Sequence, residues 1–137
     1  MSNVIAIDSN VFLYALLKQM PLAKNAVHIL RQVEDGTFQA IFSALTYTEV
    51  LGAKDQASIN IAYKFLDGLK NTSCVEVDRT IARRAGELRI IHPSLRIADS
   101  IHLATAMTHK ATLVTVDEKF LKVAERVTKT ISLKNYI

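Results

Sequence analysis

The stretch Val4-Ile5-Ala6-Ile7-Asp8-Ser9-Asn10-Val11-Phe12 decides the fold class. Val4 to Ile7 is unbroken apolar and rich in β-branched side chains, the mark of a short strand buried on both faces. Asp8 ends that run, and from Ser9 to about Leu17 the apolar spacing turns helical. The same switch recurs along the chain. Leu22, Ala26, Leu30 and Val33 mark a second helix, with Pro21 near its start and Gly36 beyond its end. Phe38 to Phe42 is a second strand, and Ser43 is placed to cap a helix running to about Gly52. Ile59, Ala62, Phe65, Leu66 and Leu69 mark a further helix, Ser73 to Val77 a third strand, and Asp78 the cap of a helix through Ile81, Ala85 and Leu88. After Pro93 and Ser94 a helix spans about Arg96 to Lys110, and Thr112 to Val116 is the fourth strand. A short helix follows Asp117, and a fifth strand falls between Val127 and Leu133. Strands alternating with helices predict an α/β fold, a three-layer sandwich in which a parallel sheet is covered on both faces. No repeat, linker or low-complexity tract interrupts residues 1–137, so one domain is expected.

Composition narrows the function. Half of the residues are hydrophobic and 22% are charged, as in a soluble globular protein. No run approaches the roughly 18 apolar residues of a membrane helix. The first residues lack a basic leader and are interrupted by Asp8, so a cytoplasmic location without membrane association is expected. Cys74 is the sole cysteine, which excludes an internal disulfide and a Cys-rich metal site. Within Cys74-Val75-Glu76-Val77 it is expected to be a small core residue. His28, His92, His102 and His109 lack zinc-binding spacing, the four glycines form no phosphate-binding loop, and no serine has a nucleophile-elbow context. Serine hydrolases, P-loop enzymes and dinucleotide oxidoreductases are thereby disfavoured. The net charge of +4 suits an acidic partner such as nucleic acid.

Four acids carry the chemistry. Asp8 and Asp117 each follow a strand, and parallel strands set both at the carboxyl edge of the sheet, where α/β folds bind ligands. Each is also a natural helix cap. Asp99 lies in Leu95-Arg96-Ile97-Ala98-Asp99-Ser100-Ile101-His102-Leu103-Ala104-Thr105-Ala106-Met107, a helix apolar around most of its circumference. A buried carboxylate costs several kcal/mol unless it is paired or binds a metal. Arg96, one turn back, is the structural alternative to a metal. Glu49, in Ala44-Leu45-Thr46-Tyr47-Thr48-Glu49-Val50-Leu51, follows the second strand and belongs near the same edge. Converging carboxylates repel and stay ionised only with a cation among them; without a metal, repulsion should raise the pKa of each. All-oxygen ligation selects a hard ion such as Mg²⁺ or Mn²⁺, which lowers the pKa of a bound water and neutralises charge growing on a phosphate. Setting the four negative charges apart from the +4 total leaves +8 on the rest of the chain. An acidic hole in a basic surface suits phosphodiester cleavage.

The ordered set resembles the PIN-domain nucleases: Asp8 in Ile7-Asp8-Ser9-Asn10, Glu49 in Thr48-Glu49-Val50, Asp99 in Ala98-Asp99-Ser100-Ile101-His102-Leu103-Ala104, and Asp117 in Leu113-Val114-Thr115-Val116-Asp117. The resemblance spans nearly the whole chain and is greatest to the VapC-like endoribonuclease toxins. It implies a five-stranded sheet ordered 3-2-1-4-5, with one or two Mg²⁺ or Mn²⁺ ions held by Asp8, Glu49, Asp99 and Asp117. It further implies RNA hydrolysis by activated water, a homodimer, and a small antitoxin protein that blocks the groove. Asn10 and Thr115 stand where that family often has polar groups near the metal or phosphate. Each has an ordinary alternative, Asn10 bonding the helix backbone and Thr115 serving as a strand residue. His102, one turn after Asp99, either faces the cleft or is an ordinary helix histidine. Two other functions remain open: another Mg²⁺-dependent phosphoryl hydrolase on a doubly wound sheet, and a PIN-like module that binds RNA or protein without catalysis. Comparison with haloacid-dehalogenase phosphatases fails at the second aspartate of their Asp-x-Asp, which is missing after Asp8.

Overall fold

The computed structural model describes residues 3–50 and 56–136. The strands are β1 (Val4–Ile7), β2 (Gln39–Ser43), β3 (Thr72–Val75), β4 (Thr112–Thr115) and β5 (Thr130–Ser132). They form one parallel sheet in the order β3-β2-β1-β4-β5. The helices are α1 (Ser9–Leu17), α2 (Leu22–Glu34), α3 (Leu45–Val50), α4 (Gln56–Asp67), α5 (Arg79–Ile91), α6 (Ile97–Thr108) and α7 (Glu118–Ala124), with a 3-10 turn at Leu133–Asn135. The α/β architecture and the strand order implied by the resemblance are both present.

Side-chain alternation along the strands divides the interior into two layers. Ile5, Ile7, Ala40, Phe42 and Val114 face a core completed by Val11, Phe12, Ala26, Ile29, Val33, Ala62 and Leu66 from α1, α2 and α4. Ala6 and Leu113 face the opposite core, built with Ile81, Ala85, Leu88, Leu103, Ala104, Ala106 and Phe120 from α5, α6 and α7. Phe12 is fully buried and meets Phe42 and Phe65 edge-on, with ring centroids 5.5 and 6.2 Å away. Its burial stabilises the fold by about 2–3 kcal/mol.

Most predicted boundaries shift by one or two residues. β3 ends at Val75 rather than Val77, and α6 begins at Ile97 and ends at Thr108. Ser43 does accept the backbone N–H of Leu45 at 3.2 Å, as a cap should. The predicted end of that helix near Gly52 lies outside the described residues. Asp78 caps α5 by accepting from the Ile81 N–H at 2.9 Å. Cys74 departs from expectation: it is exposed, not in the core. β3 is an edge strand paired only with β2, and Ser73 and Cys74 are both open to solvent.

Two registers position the cleft. Ile7 lies opposite Val114, and the Asp8 N–H donates to the Val114 carbonyl at 2.9 Å. Continuing that ladder sets Asp8 level with Thr115, where β1 and β4 diverge toward helices. This is the sheet's switch point: β2 follows on one side of β1 and β4 lies on the other.

Candidate functional site

Asp8 is the N-cap of α1 by position, yet its side chain makes no capping bond. It turns into the cleft with only 5% of its surface exposed. The Thr115 hydroxyl donates to its Oδ2 at 2.6 Å. Thr115 in turn accepts from the Asp117 N–H at 3.2 Å and from the Asn10 amide at 3.4 Å. Register thus turns an ordinary strand threonine into the hub that aims Asp8. Burial pushes the Asp8 pKa up, and Glu49 and Asp99 add to that rise, against the pull of His102 and Thr115.

Glu49 comes from α3, which follows β2 and so reaches the same edge of the sheet. Its Oε1 lies 2.5 Å from His102 Nε2 and accepts from the Ser9 hydroxyl at 3.0 Å. His102 Nε2 is also 3.6 Å from Asp8 Oδ1. The imidazole is buried on α6, one turn beyond Asp99. Burial alone would lower its pKa, but the hydrogen bond to Glu49 and the negative charge of Asp8, Glu49 and Asp99 raise it. Burial likewise pushes Glu49 up, and the His102 hydrogen bond and charge, with Ser9 and Arg96, bring it below its ordinary value. The expected rise is therefore found for Asp8, chiefly through burial and only secondarily through repulsion, and is corrected for Glu49. There the imidazole, with Ser9 and Arg96, outweighs the cost of burial.

Asp99, in the first turn of α6, and Asp117, capping α7, form the other half of the cleft. Asp117 Oδ1 accepts from the Lys119 and Phe120 N–H groups at 3.0 and 3.2 Å. Its Oδ2 accepts from Arg96 at 3.3 Å, and Asp99 Oδ2 accepts from Arg96 Nε, also at 3.3 Å. Both alternatives noted from sequence are therefore partly present: Asp117 is a cap as well as a cleft acid, and Asp99 does meet Arg96. The first turn of α6 is less buried than its apolar sequence implies, with Ile97 62% exposed.

All four predicted acids converge on one edge of the sheet, and Asn10 and Thr115 stand beside Asp8. Among the described residues, no three His, Cys, Asp or Glu side chains stand close enough together to hold one metal ion. The acids are instead held as two pairs, one on His102 and one on Arg96. By chemistry, though not by present spacing, the donor set suits a hard divalent cation: four carboxylates now taken up by His102 and Arg96, and a buried Asn10 Oδ1 that has no hydrogen-bond partner. Sequence reading underrated His102 and passed over Ser9. The available signal was the three-residue step from Asp99 to His102, which puts both on one face of α6.

The PIN domain family model matches residues 5–126. Among solved structures, a toxin-antitoxin complex from Klebsiella pneumoniae contains a chain similar at TM-score 0.71 and 23% identity, covering 94% of this chain and 97% of that one. VapBC-1 from nontypeable Haemophilus influenzae is similar at TM-score 0.72 and 16% identity, covering 96% of this chain and 99% of the other. FitAcB from Neisseria gonorrhoeae is similar at 0.68 and 19%, with coverage of 96% and 99%. At such identities the likeness is one of fold. A comparison with curated protein sequences finds no match. The family match runs from β1 through α7 and takes in all four cleft acids, and on that ground the chain belongs to the PIN domain family.

Proposed function

We propose that the chain is a metal-dependent endoribonuclease, a single nuclease domain acting as the toxin of a toxin–antitoxin pair. The observation that carries this reading is the convergence of Asp8, Glu49, Asp99 and Asp117 at the switch point of a parallel sheet, in a chain otherwise strongly basic. Mg²⁺ or Mn²⁺ would be held by those four carboxylates, with Asn10 Oδ1 as a further oxygen. When bound, the ion supplies a more acidic water and charge neutralisation at the phosphate. Thr115 orients Asp8, His102 and Ser9 orient Glu49, and Arg96 and Lys119 line the cleft beside Asp99 and Asp117 as phosphate-facing cations. Cleavage of RNA rather than of a small phosphate ester is favoured by an open cleft with basic residues along it.

Partners follow from the same reading. The similar structure from Klebsiella pneumoniae is a toxin-antitoxin complex, which supports a small antitoxin protein as the inhibitor. Ile90, Ile91 and Ile97, exposed around the α5–α6 connection, are an apolar surface suited to homodimer formation. No described helix is long and apolar enough to cross a membrane, consistent with action on cytoplasmic RNA.

The test is cleavage of single-stranded RNA by purified protein with Mg²⁺ or Mn²⁺, beside a phosphatase assay. Cleavage should stop on thorough chelation, return with Mn²⁺, and be lost in Asp99→Asn. Turnover of a small phosphate ester without RNA cleavage would favour a different phosphoryl hydrolase. Salt-sensitive RNA binding without either activity would favour a non-catalytic module.

A further inference from the structure

Arg96 occupies an unusual place. It is the N-cap residue of α6 by position, with extended backbone at φ −73° and ψ 162°, but its side chain caps nothing. The guanidinium instead lies across Asp99 Oδ2 and Asp117 Oδ2, at 3.3 Å from each. Its side chain is 76% exposed, whereas those of Asp99 and Asp117 are 15% and 29% exposed. A solvent-side monovalent cation therefore bridges two more deeply set carboxylates, using one oxygen of each.

We infer that Arg96 is an exchangeable counter-cation: it holds Asp99 and Asp117 together in the metal-free protein, gives up their oxygens to a divalent ion, and then engages the phosphate of the nucleic acid. The inference rests on the metal-dependent reading above. Exposed ion pairs are weak and screened, so the bridge is easily displaced by a doubly charged competitor for the same oxygens. The displaced group remains tethered at the mouth of the cleft, beside Lys119 and Phe120. A guanidinium offers a planar donor fork that matches a phosphate as well as it matched the carboxylates, which a lysine ammonium does not. One side chain thus serves two successive anions, and the carboxylate pair is kept from repelling itself apart before the metal arrives.

The two roles predict effects of opposite sign, which a merely structural arginine would not give. Mn²⁺ binding to full-length wild type, Arg96→Ala and Arg96→Gln is followed by electron paramagnetic resonance without nucleic acid, after circular dichroism has confirmed equal folding. Both variants should bind Mn²⁺ more tightly, by roughly fivefold, because the competitor for Asp99 and Asp117 is gone. In saturating Mn²⁺, their affinity for a nuclease-resistant phosphorothioate oligoribonucleotide should fall, with the salt slope reduced by about one charge. Tighter Mn²⁺ binding by the variants than by wild type supports the exchange even where wild type binds too weakly to measure. Equal or weaker Mn²⁺ binding in the variants overturns it and leaves the metal-dependent reading standing. Failure of all three proteins to bind Mn²⁺ overturns both.

Discussion

At one end of the cleft, Asp8 and Glu49 share a histidine that is 3% exposed; at the other, Asp99 and Asp117 share an arginine whose side chain is 76% exposed. Each end solves the same difficulty, two carboxylates brought together by the fold, with one cation. Depth makes the solutions physically different. A buried pair is little screened, so its charges shift one another's protonation and couple to the stability of the fold. An exposed pair is shared with water and salt and can be exchanged at little cost. The buried end is therefore expected to be fixed in geometry, and the exposed end adjustable.

The largest break in that contrast is Asp8→Asn. Loss of the central charged oxygen should reduce RNA cleavage about a thousandfold. Because burial raises the Asp8 pKa, the ionised group opposes folding at neutral pH, and that opposition fades as pH falls toward the raised value. Its neutral replacement should then stabilise the metal-free protein by about 1 kcal/mol, seen as a melting temperature about 4 °C higher. Unchanged turnover would remove Asp8 from the site; a lower metal-free melting temperature would mean that attraction to His102 outweighs the burial cost.

His102→Gln comes next. It should cut turnover by about 10–100-fold through a misplaced Glu49. It should also destabilise the fold by about 1–3 kcal/mol, because a partly buried carboxylate loses its cationic partner. Activity loss with an unchanged denaturation midpoint would show that the imidazole does not hold Glu49 in the fold.

The pH dependence sharpens the comparison further. His102 has a raised pKa, so its stabilisation is complete below its ordinary value of 6.5 and disappears as pH rises through the raised one. Glu49 has a lowered pKa, so its contribution is complete above its ordinary value of 4.5 and is lost as pH falls through the lowered one. The metal-free protein should thus owe most to this pair between about pH 4.5 and 6.5, and His102→Gln should flatten that window. Urea midpoints across this range, with chelator present, measure it. A wild-type profile identical in shape to the variant's would contradict the coupling.

The smallest effects belong to the exposed end. Asp117→Asn keeps an oxygen to accept from the Lys119 and Phe120 N–H groups, so stability should stay within about 0.5 kcal/mol, while Asp117→Ala loses the cap and about 1 kcal/mol. Equal melting temperatures for the two variants would show that the cap contributes nothing measurable.

The same division governs how much was readable from sequence. The strands of the sheet centre announced themselves because both of their faces are covered, which demands continuous apolar runs such as Val4–Ile7. Where one face is open the pattern weakens. Cys74 was misjudged on that account, since nothing in Cys74-Val75-Glu76-Val77 marks β3 as an edge. Asp8 and Asp117 were legible because they end strands that must run side by side. Asp99 was legible because an acid in an apolar helix needs a reason. His102 and Arg96 were harder, because their roles depend on distances between elements far apart in the chain. Glu49 precedes its histidine partner by 53 residues, and no local pattern encodes which of two nearby acids a cation will choose.

Ala6, Ala104 and Ala106 are almost wholly buried in the core that β1 shares with α5, α6 and α7. Small side chains at that contact set how near a helix can lie to a sheet. The thickness of this seam acts as a spacer for the whole cleft: Asp99 and His102 ride on the helix, while Asp8 rides on the strand beneath it. A larger side chain at Ala6 would press against that core and move the two helix-borne residues relative to Asp8, with no acid altered. The dimensions of the cleft thus depend on small side chains buried away from solvent, and drift there would retune the site with every carboxylate in place.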